Sequence, residues 1–398
     1  SRSAPAAGTD SPVLLSDRDC KRKQETPDTM DHYRPPVGTP VADLDTPCLL
    51  IDMDALEHNF QRIADTYRDT DVKIREHTKN IKSPLLAHMQ IRAGGSMGGV
   101  CSAKIAEAEV MVEGGIKDVL VPNQIVTEDK IRRVAAMSKR ADVTICVDSE
   151  QNLRDISRIA ETENAVISVA IEVDTNMARS GIRSVEQGVH LARVADGLPG
   201  VKFKGVMSHS AMFGIPKDEN ERISAALKYY RQTLDVANAI KAEGIEVTMV
   251  SSGETFSYDQ AANVPGITDV EGGSYALMST SLPYMEDHFE YAAKVLGTVV
   301  STPRPGVAIG DIGYRAIGSM LNRDDPVVED VPGVKFASIH DELCVLESDG
   351  DMPLKVGDKF QLRSSQQDLT VNRYDNYVAV RKGVVEEIIS IPGRGCHN

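Results

Sequence analysis

Lys79 stands in the run Arg75-Glu76-His77-Thr78-Lys79-Asn80-Ile81-Lys82, between a short β-like stretch and a helix-like one that begins near Ser83-Pro84. A lysine at the end of a strand is a place where a Schiff base with an aldehyde can form. Its amine must be neutral to attack, a state favoured by partial burial or by cationic neighbours such as Arg75, His77 and Lys82. Alone the segment says little, because the chain carries 44 Lys+Arg and most such residues are solvated surface groups. Its weight comes from the ends of the other candidate strands. They offer Glu172, Asp174 and Arg179, then Ser208 and His209, then Ser251, Ser252, Gly253 and Thr255, and last Glu271, Gly272, Gly273, Ser274 and Tyr275. The last two sets are rich in small residues, a composition that lets backbone N–H groups cradle a phosphate. A lysine opposite a phosphate cradle calls for one ligand that is both aldehyde and phosphate ester, which is pyridoxal phosphate.

The elements that must position these residues alternate. Strand-like runs cover 71–75, 96–101, 118–122, 143–148, 166–173, 202–208, 247–252 and 267–271. Amphipathic stretches at 102–113, 127–138, 149–161, 185–195 and 219–242 lie between them. About eight strands alternating with helices indicate a (β/α)8 TIM-like barrel, α/β in class, with an open doubly wound sheet as the alternative. Before the barrel, 46–52 reads as a short strand, and Asp54 is placed to cap the helix that follows. After about residue 295 the pattern changes to short strands broken by Gly, Pro and Asp, with no helix indicated: a C-terminal all-β domain. The expected division is a polar N-terminal tail (1–44), a barrel (45–295) and a β-strand domain (296–398) that strand 46–52 can join.

With 398 residues, 41% of them hydrophobic, the chain can bury a large core. A net charge of −15 argues against nucleic acid or an anionic membrane as partner, and no apolar run approaches the length of a membrane span. The six cysteines are scattered, without zinc-ribbon spacing, which suits a reducing, cytoplasmic setting; a remnant of an organellar leader is the alternative.

Three segments resemble the fold-type III pyridoxal phosphate enzymes, the alanine racemase-like superfamily: Thr46-Pro-Cys-Leu-Leu-Ile-Asp-Met-Asp-Ala-Leu-Glu-His-Asn59, Asp174-Thr-Asn-Met-Ala-Arg-Ser-Gly181 and Gly205-Val-Met-Ser-His209. Arg75–Lys82, Ser251-Ser-Gly-Glu-Thr255, Gly273-Ser-Tyr-Ala-Leu-Met278, Asp311-Ile-Gly-Tyr-Arg-Ala316 and Tyr377-Val-Ala-Val-Arg-Lys-Gly383 are similar to the D-threonine aldolase and D-serine dehydratase branch. The resemblance covers about residues 44–395. It implies that Lys79 holds the cofactor, that His77, Arg179, Ser252, Gly253, Thr255, Glu271, Gly273, Ser274 and Tyr275 surround it, and that the enzyme is a homodimer. Glu271 would face the pyridine nitrogen and His209 would contact the ring.

The departures concern a metal. The branch holds a divalent ion through a His-x-Asp or His-x-Cys pair, where this chain has Gln366-Gln367-Asp368. Leu343, Ile81 and Tyr374 stand where the branch has further histidines. A transition-metal site without imidazole or thiolate is poor, which leaves Asp368 as a weak ligand or none. The base for a β-hydroxyl is then Tyr374, Asp368, His209 or a loosely held ion. The reading is a lyase acting on D-3-hydroxy amino acids by retro-aldol cleavage, with an altered or absent metal. A metal-independent racemase or epimerase, a D-serine dehydratase-like lyase and a non-enzymatic cofactor carrier are the alternatives.

Overall fold

The computed structural model describes residues 34–318 and 325–398. Most of the polar N-terminal tail, and Cys20 with it, lies outside the described residues. The first strand, β1 (Cys48–Asp52), runs straight into helix α1 (Met53–Thr66). Because no loop intervenes, Asp52 is the cap in place of Asp54: its carboxylate accepts from the N–H groups of Asp54 and Ala55 at 3.0 and 3.2 Å.

Eight strands follow: β2 (Lys73–His77), β3 (Ser96–Cys101), β4 (Asp118–Gln124), β5 (Asp142–Val147), β6 (Ile167–Glu172), β7 (Val201–Ser208), β8 (Met249–Ser252) and β9 (Asp269–Val270). The main helices between them are α2 (Pro84–Ala93), α3 (Ile105–Glu113), α4 (Glu128–Ser138), α5 (Glu150–Thr162), α6 (Val185–Gly197) and α7 (Glu219–Ala242). The strands pair in parallel in chain order, and β9 pairs back onto β2, Lys73 opposite Asp269 and Ile74 opposite Val270. That last pairing closes the barrel and excludes the open sheet.

Strands β4, β5 and β6 are largely apolar on both faces, as suits parallel strands buried on both sides. Leu120, Cys146, Ala170, Met207 and Met249 pack together as one cluster. Their neighbours Val119, Val121, Val143, Ile145, Val169 and Ile171 belong to the larger core shared with the helices. Each helix answers with one apolar stripe, as in α5, which buries Leu153, Ile156, Ile159 and Ala160.

The C-terminal domain is a nine-stranded sheet. Its strands are β10 (Ala293–Arg304), β11 (Val307–Gly310), β12 (Val327–Glu329), β13 (Val334–Ile339), β14 (Cys344–Ser348), β15 (Lys359–Arg363), β16 (Asn376–Arg381) and β17 (Val384–Ser390), with β1 as the ninth. β1 lies between β10, antiparallel to it, and β16, parallel to it. A helical turn at Gln367–Val371 interrupts this all-strand pattern, against expectation. It is stabilised locally: the Thr370 hydroxyl donates to the Gln366 carbonyl at 3.0 Å, a bond that sequence periodicity does not register.

Candidate active site

The C-terminal ends of the barrel strands open into a cavity of about 560 Å³. Lys79 lines it from the turn that follows β2. The turn is built from backbone: Thr78 N–H donates to the Cys101 carbonyl at 2.7 Å, and Lys82 N–H to the Thr78 carbonyl at 2.7 Å. The sheet domain clamps it from the far side, since the Tyr377 hydroxyl donates to the Ile81 carbonyl and Gly393 N–H to the Lys82 carbonyl, each at 2.9 Å. Ile81 is fully buried in the core, and the Lys82 ammonium pairs with buried Glu107 at 2.5 Å. Position 81 therefore contributes packing, and Lys82 is engaged outside the cavity.

Glu271, at the end of β9, is buried in the cavity wall. The Ser251 hydroxyl lies 2.8 Å from its Oε1 and 2.6 Å from Asp269, and the Cys101 thiol donates to its Oε2 at 3.4 Å. Burial raises its carboxyl to about 7, against the hydrogen bond from Ser251 and helped by the charge of Asp269. Asp269 is itself paired with buried Arg75 at 2.9 Å, and Arg75 also pairs with Asp118. Arg75, offered by the sequence as a cationic neighbour of Lys79, is thus bound into the interior carboxylates.

His77 and His209 both line the cavity. Burial, with Lys79, His209 and Lys82 near by, holds His77 well below the usual histidine range. Burial, Lys79 and Arg179 bring His209 down to about 3. Both rings are neutral at physiological pH. His209 Nδ1 faces Glu254 Oε1 at 3.4 Å, and the same carboxyl accepts a hydrogen bond from Ser210 N–H. Glu254 was not singled out by the sequence, although it interrupts a run that is otherwise Ser, Gly and Thr, and a carboxyl among cradle residues was a visible signal.

Thr255, Gly273 and Ser274 also line the cavity. A Cβ on Gly273 would meet the His77 carbonyl at 2.7 Å and the Asn80 amide at 2.8 Å, so a close approach of backbone is built in. The Asn80 amide nitrogen is buried beside it without a hydrogen-bond partner among the described residues. A cavity of this size, with a lysine, small residues, an unpartnered donor and a carboxyl in its wall, fits pyridoxal phosphate. The donors do not fit a divalent metal. Gln366 presents an amide to the cavity, Asp368 lies outside its lining, and among the described residues no three His, Cys, Asp or Glu side chains cluster in ligating range.

Six expected residues do not reach the cavity with their side chains. Arg179 is half-exposed and lies 3.9 Å from Glu172. The Ser252 hydroxyl points outward to Ser208 at 2.8 Å. Gly253 packs against the Tyr230 hydroxyl with φ +101°. The Tyr275 hydroxyl is spent on buried Glu76. Tyr374, expected as a base, donates to the Ala316 carbonyl at 2.7 Å. Asp368 accepts from Leu369 N–H at 3.1 Å at the start of the helical turn. In their place the β7–α7 loop supplies Ala211, Met212, Phe213 and Ile215, and the segment after β9 supplies Ser281, Leu282 and Tyr284.

Residues 51–276 match the alanine racemase N-terminal domain family, and residues 292–380 match a serine dehydratase domain. A 3-hydroxy-D-aspartate aldolase of Paracoccus denitrificans (strain Pd 1222) is 34% identical over 374 residues, covering 90% of this chain and 94% of that protein. A D-threonine aldolase of Arthrobacter sp. is 31% identical over 365 residues, 90% of this chain and 95% of that protein. The crystal structure of D-threonine aldolase from Filomicrobium marinum superposes with a TM-score of 0.85 at 31% identity, over 92% of this chain and 100% of that one. With a lysine-bearing barrel mouth joined to this sheet domain, the chain belongs to the alanine racemase family of fold-type III pyridoxal phosphate enzymes.

Proposed function

We propose that the chain is a lyase that cleaves the Cα–Cβ bond of D-3-hydroxy amino acids, releasing an aldehyde and glycine, without a metal at the β-hydroxyl. The carrying observation is that Lys79, His209 and Glu254 face one cavity whose wall offers Gln366 where the branch holds its metal with histidine. The relatives named as aldolases for 3-hydroxy-D-aspartate and D-threonine support the reaction class.

Lys79 would hold the cofactor aldehyde, Gly273, Ser274 and Thr255 would hold the phosphate, and Glu271 would face the ring nitrogen. Bound pyridoxal phosphate would supply the sink for the electron pair left at Cα. His209 is neutral; burial raises the Glu254 carboxyl well above the usual carboxylate range, and its Oε1, as an acceptor beside Nδ1, favours the tautomer protonated there, leaving Nε2 as acceptor. The β-hydroxyl proton passes to His209 as the Cα–Cβ bond breaks and Cβ becomes the aldehyde carbon. Lys79 then returns a proton to Cα. In this reading Tyr374, which donates to the Ala316 carbonyl, and Asp368, which accepts from Leu369 N–H, are outside the cavity lining and take no part.

The test is turnover of D-threonine by the cofactor-loaded protein with EDTA or with added Mn2+. Acetaldehyde is expected in both, lost in Lys79→Ala and reduced about a hundredfold in kcat in His209→Asn. Aldehyde that needs added Mn2+ would overturn the metal-free base. A 2-oxo acid or the other enantiomer in place of aldehyde would overturn the lyase assignment in favour of a dehydratase or a racemase.

A further inference from the structure

We propose that residues 393–398 form a strap that, together with Tyr377, positions Lys79: the C-terminal sheet domain fixes the turn from which the amine enters the cavity. The inference rests on reading Lys79 as the lysine that takes the cofactor aldehyde. Lys79 lies inside the ring that Lys82 N–H closes onto the Thr78 carbonyl. Lys82, the last residue of that ring, has φ +48°, in the left-handed region that a residue with a Cβ keeps only when its surroundings hold it there. Three groups hold it. Its N–H is bonded within the turn, its carbonyl accepts from Gly393 N–H at 2.9 Å, and its ammonium meets Glu107.

The strap ties two of these groups to the sheet domain. Near its start Arg394 pairs with Asp375, and Gly395 N–H donates to Asn372 Oδ1 at 2.8 Å, both just ahead of β16. At its other end the Asn398 carbonyl accepts from Ala106 N–H at 2.8 Å, in the first turn of α3. The next residue of α3 is Glu107, whose carboxylate holds the Lys82 ammonium and accepts from Lys104 N–H at 3.2 Å. The contact at Lys82 is close: a Cβ on Gly393 would meet the Lys82 carbonyl at 2.9 Å and its Cβ at 3.1 Å. Tyr377, fully buried on β16, adds its hydroxyl to the Ile81 carbonyl at 2.9 Å. The last two carbonyls of the turn, Ile81 and Lys82, thus find their donors in the sheet domain. The turn cannot rotate without leaving a buried carbonyl unbonded, so the direction of Lys79 is set where the two domains meet. Lys82 itself is engaged with Glu107 outside the cavity, so its part is to hold the turn.

The experiment compares Tyr377→Phe, which removes one bond, and Gly393→Ala, which crowds the Lys82 backbone, with Arg381→Ala. Arg381 joins the sheet domain to α1 through Asp54 and Glu57, away from the turn. Pyridoxal phosphate is titrated into each cofactor-free protein, and the visible circular dichroism per bound cofactor is recorded, a readout of its fixed orientation that global stability does not move. Tyr377→Phe and Gly393→Ala are each expected to weaken binding about tenfold and to lower the dichroism per bound cofactor about twofold. Arg381→Ala is expected to leave both unchanged. Wild-type affinity and dichroism in Tyr377→Phe and Gly393→Ala, or the same loss in Arg381→Ala, would overturn the proposal. Borohydride fixation followed by peptide mapping tests the reading beneath it: label on Lys79 is expected, and label on another lysine would overturn that reading and the strap's role with it.

Discussion

Glu271→Gln tests the electrostatics of the site without the cofactor. The carboxyl of Glu271 titrates near 7 in the folded protein, against an ordinary value of 4.5, because it is buried beside Asp269. The native state therefore binds the proton more tightly than the unfolded chain, and stability must fall as pH rises through that window. Integrated between pH 5 and pH 8, the loss is about 2.5 kcal/mol. Glutamine keeps the acceptor that meets Ser251 and cannot ionise, so the variant escapes the loss. It gives up the weak bond from Cys101, worth about 0.5 kcal/mol. Urea unfolding of the cofactor-free proteins should find them within about 1 kcal/mol at pH 5 and the variant more stable by about 2 kcal/mol at pH 8. An equal difference at both pH values, or a wild type gaining stability as pH rises relative to the variant, would refute the raised carboxyl. The loaded variant should also retain cofactor less well, if the carboxyl faces the ring nitrogen.

Arg75→Met leaves Asp269, 1% exposed, buried without its cation, and is expected to cost about 3–5 kcal/mol in urea unfolding. Gly273→Ala forces a methyl against the His77 carbonyl and Asn80; the protein should fold, and its cofactor affinity, followed by absorbance titration, should drop at least about tenfold. Glu254→Gln should lower kcat about tenfold with little change in KM, since it acts by holding His209. The His209 base form is lost only as pH falls through about 3, so the pH–rate profile should show no acid limb from this histidine near 6.5.

Fold and cofactor were legible because they rest on local signals. Alternating apolar periods placed the barrel strands, and β3 was bounded at 96–101 as it stands in the structure. Lys79 was legible because its neighbours in the chain are also its neighbours in the turn. The hydroxyls of Tyr374, Tyr275 and Ser252 turn away from the cavity, which the sequence could not show, because chain position names the strand end and not the direction of the side chain. Each hydroxyl had a nearer partner, the Ala316 carbonyl, Glu76 and Ser208 respectively, and those partners come from distant parts of the chain or from the outer face of the barrel. Glu254 was overlooked for the converse reason: its partners His209 and Ser210 are on another strand end, 44 residues away from Glu254 in the case of Ser210.

The sequence by itself determined the alternation that makes a barrel, the lysine at its mouth and the loss of the histidines that would hold a metal, because periodicity and residue type are properties of single segments. Tertiary structure decided that β9 returns to β2, that the first strand joins the last sheet, and that Glu254 stands beside His209 in the cavity wall. Those are pairings across the chain, and their direction and burial exist only once the barrel has closed.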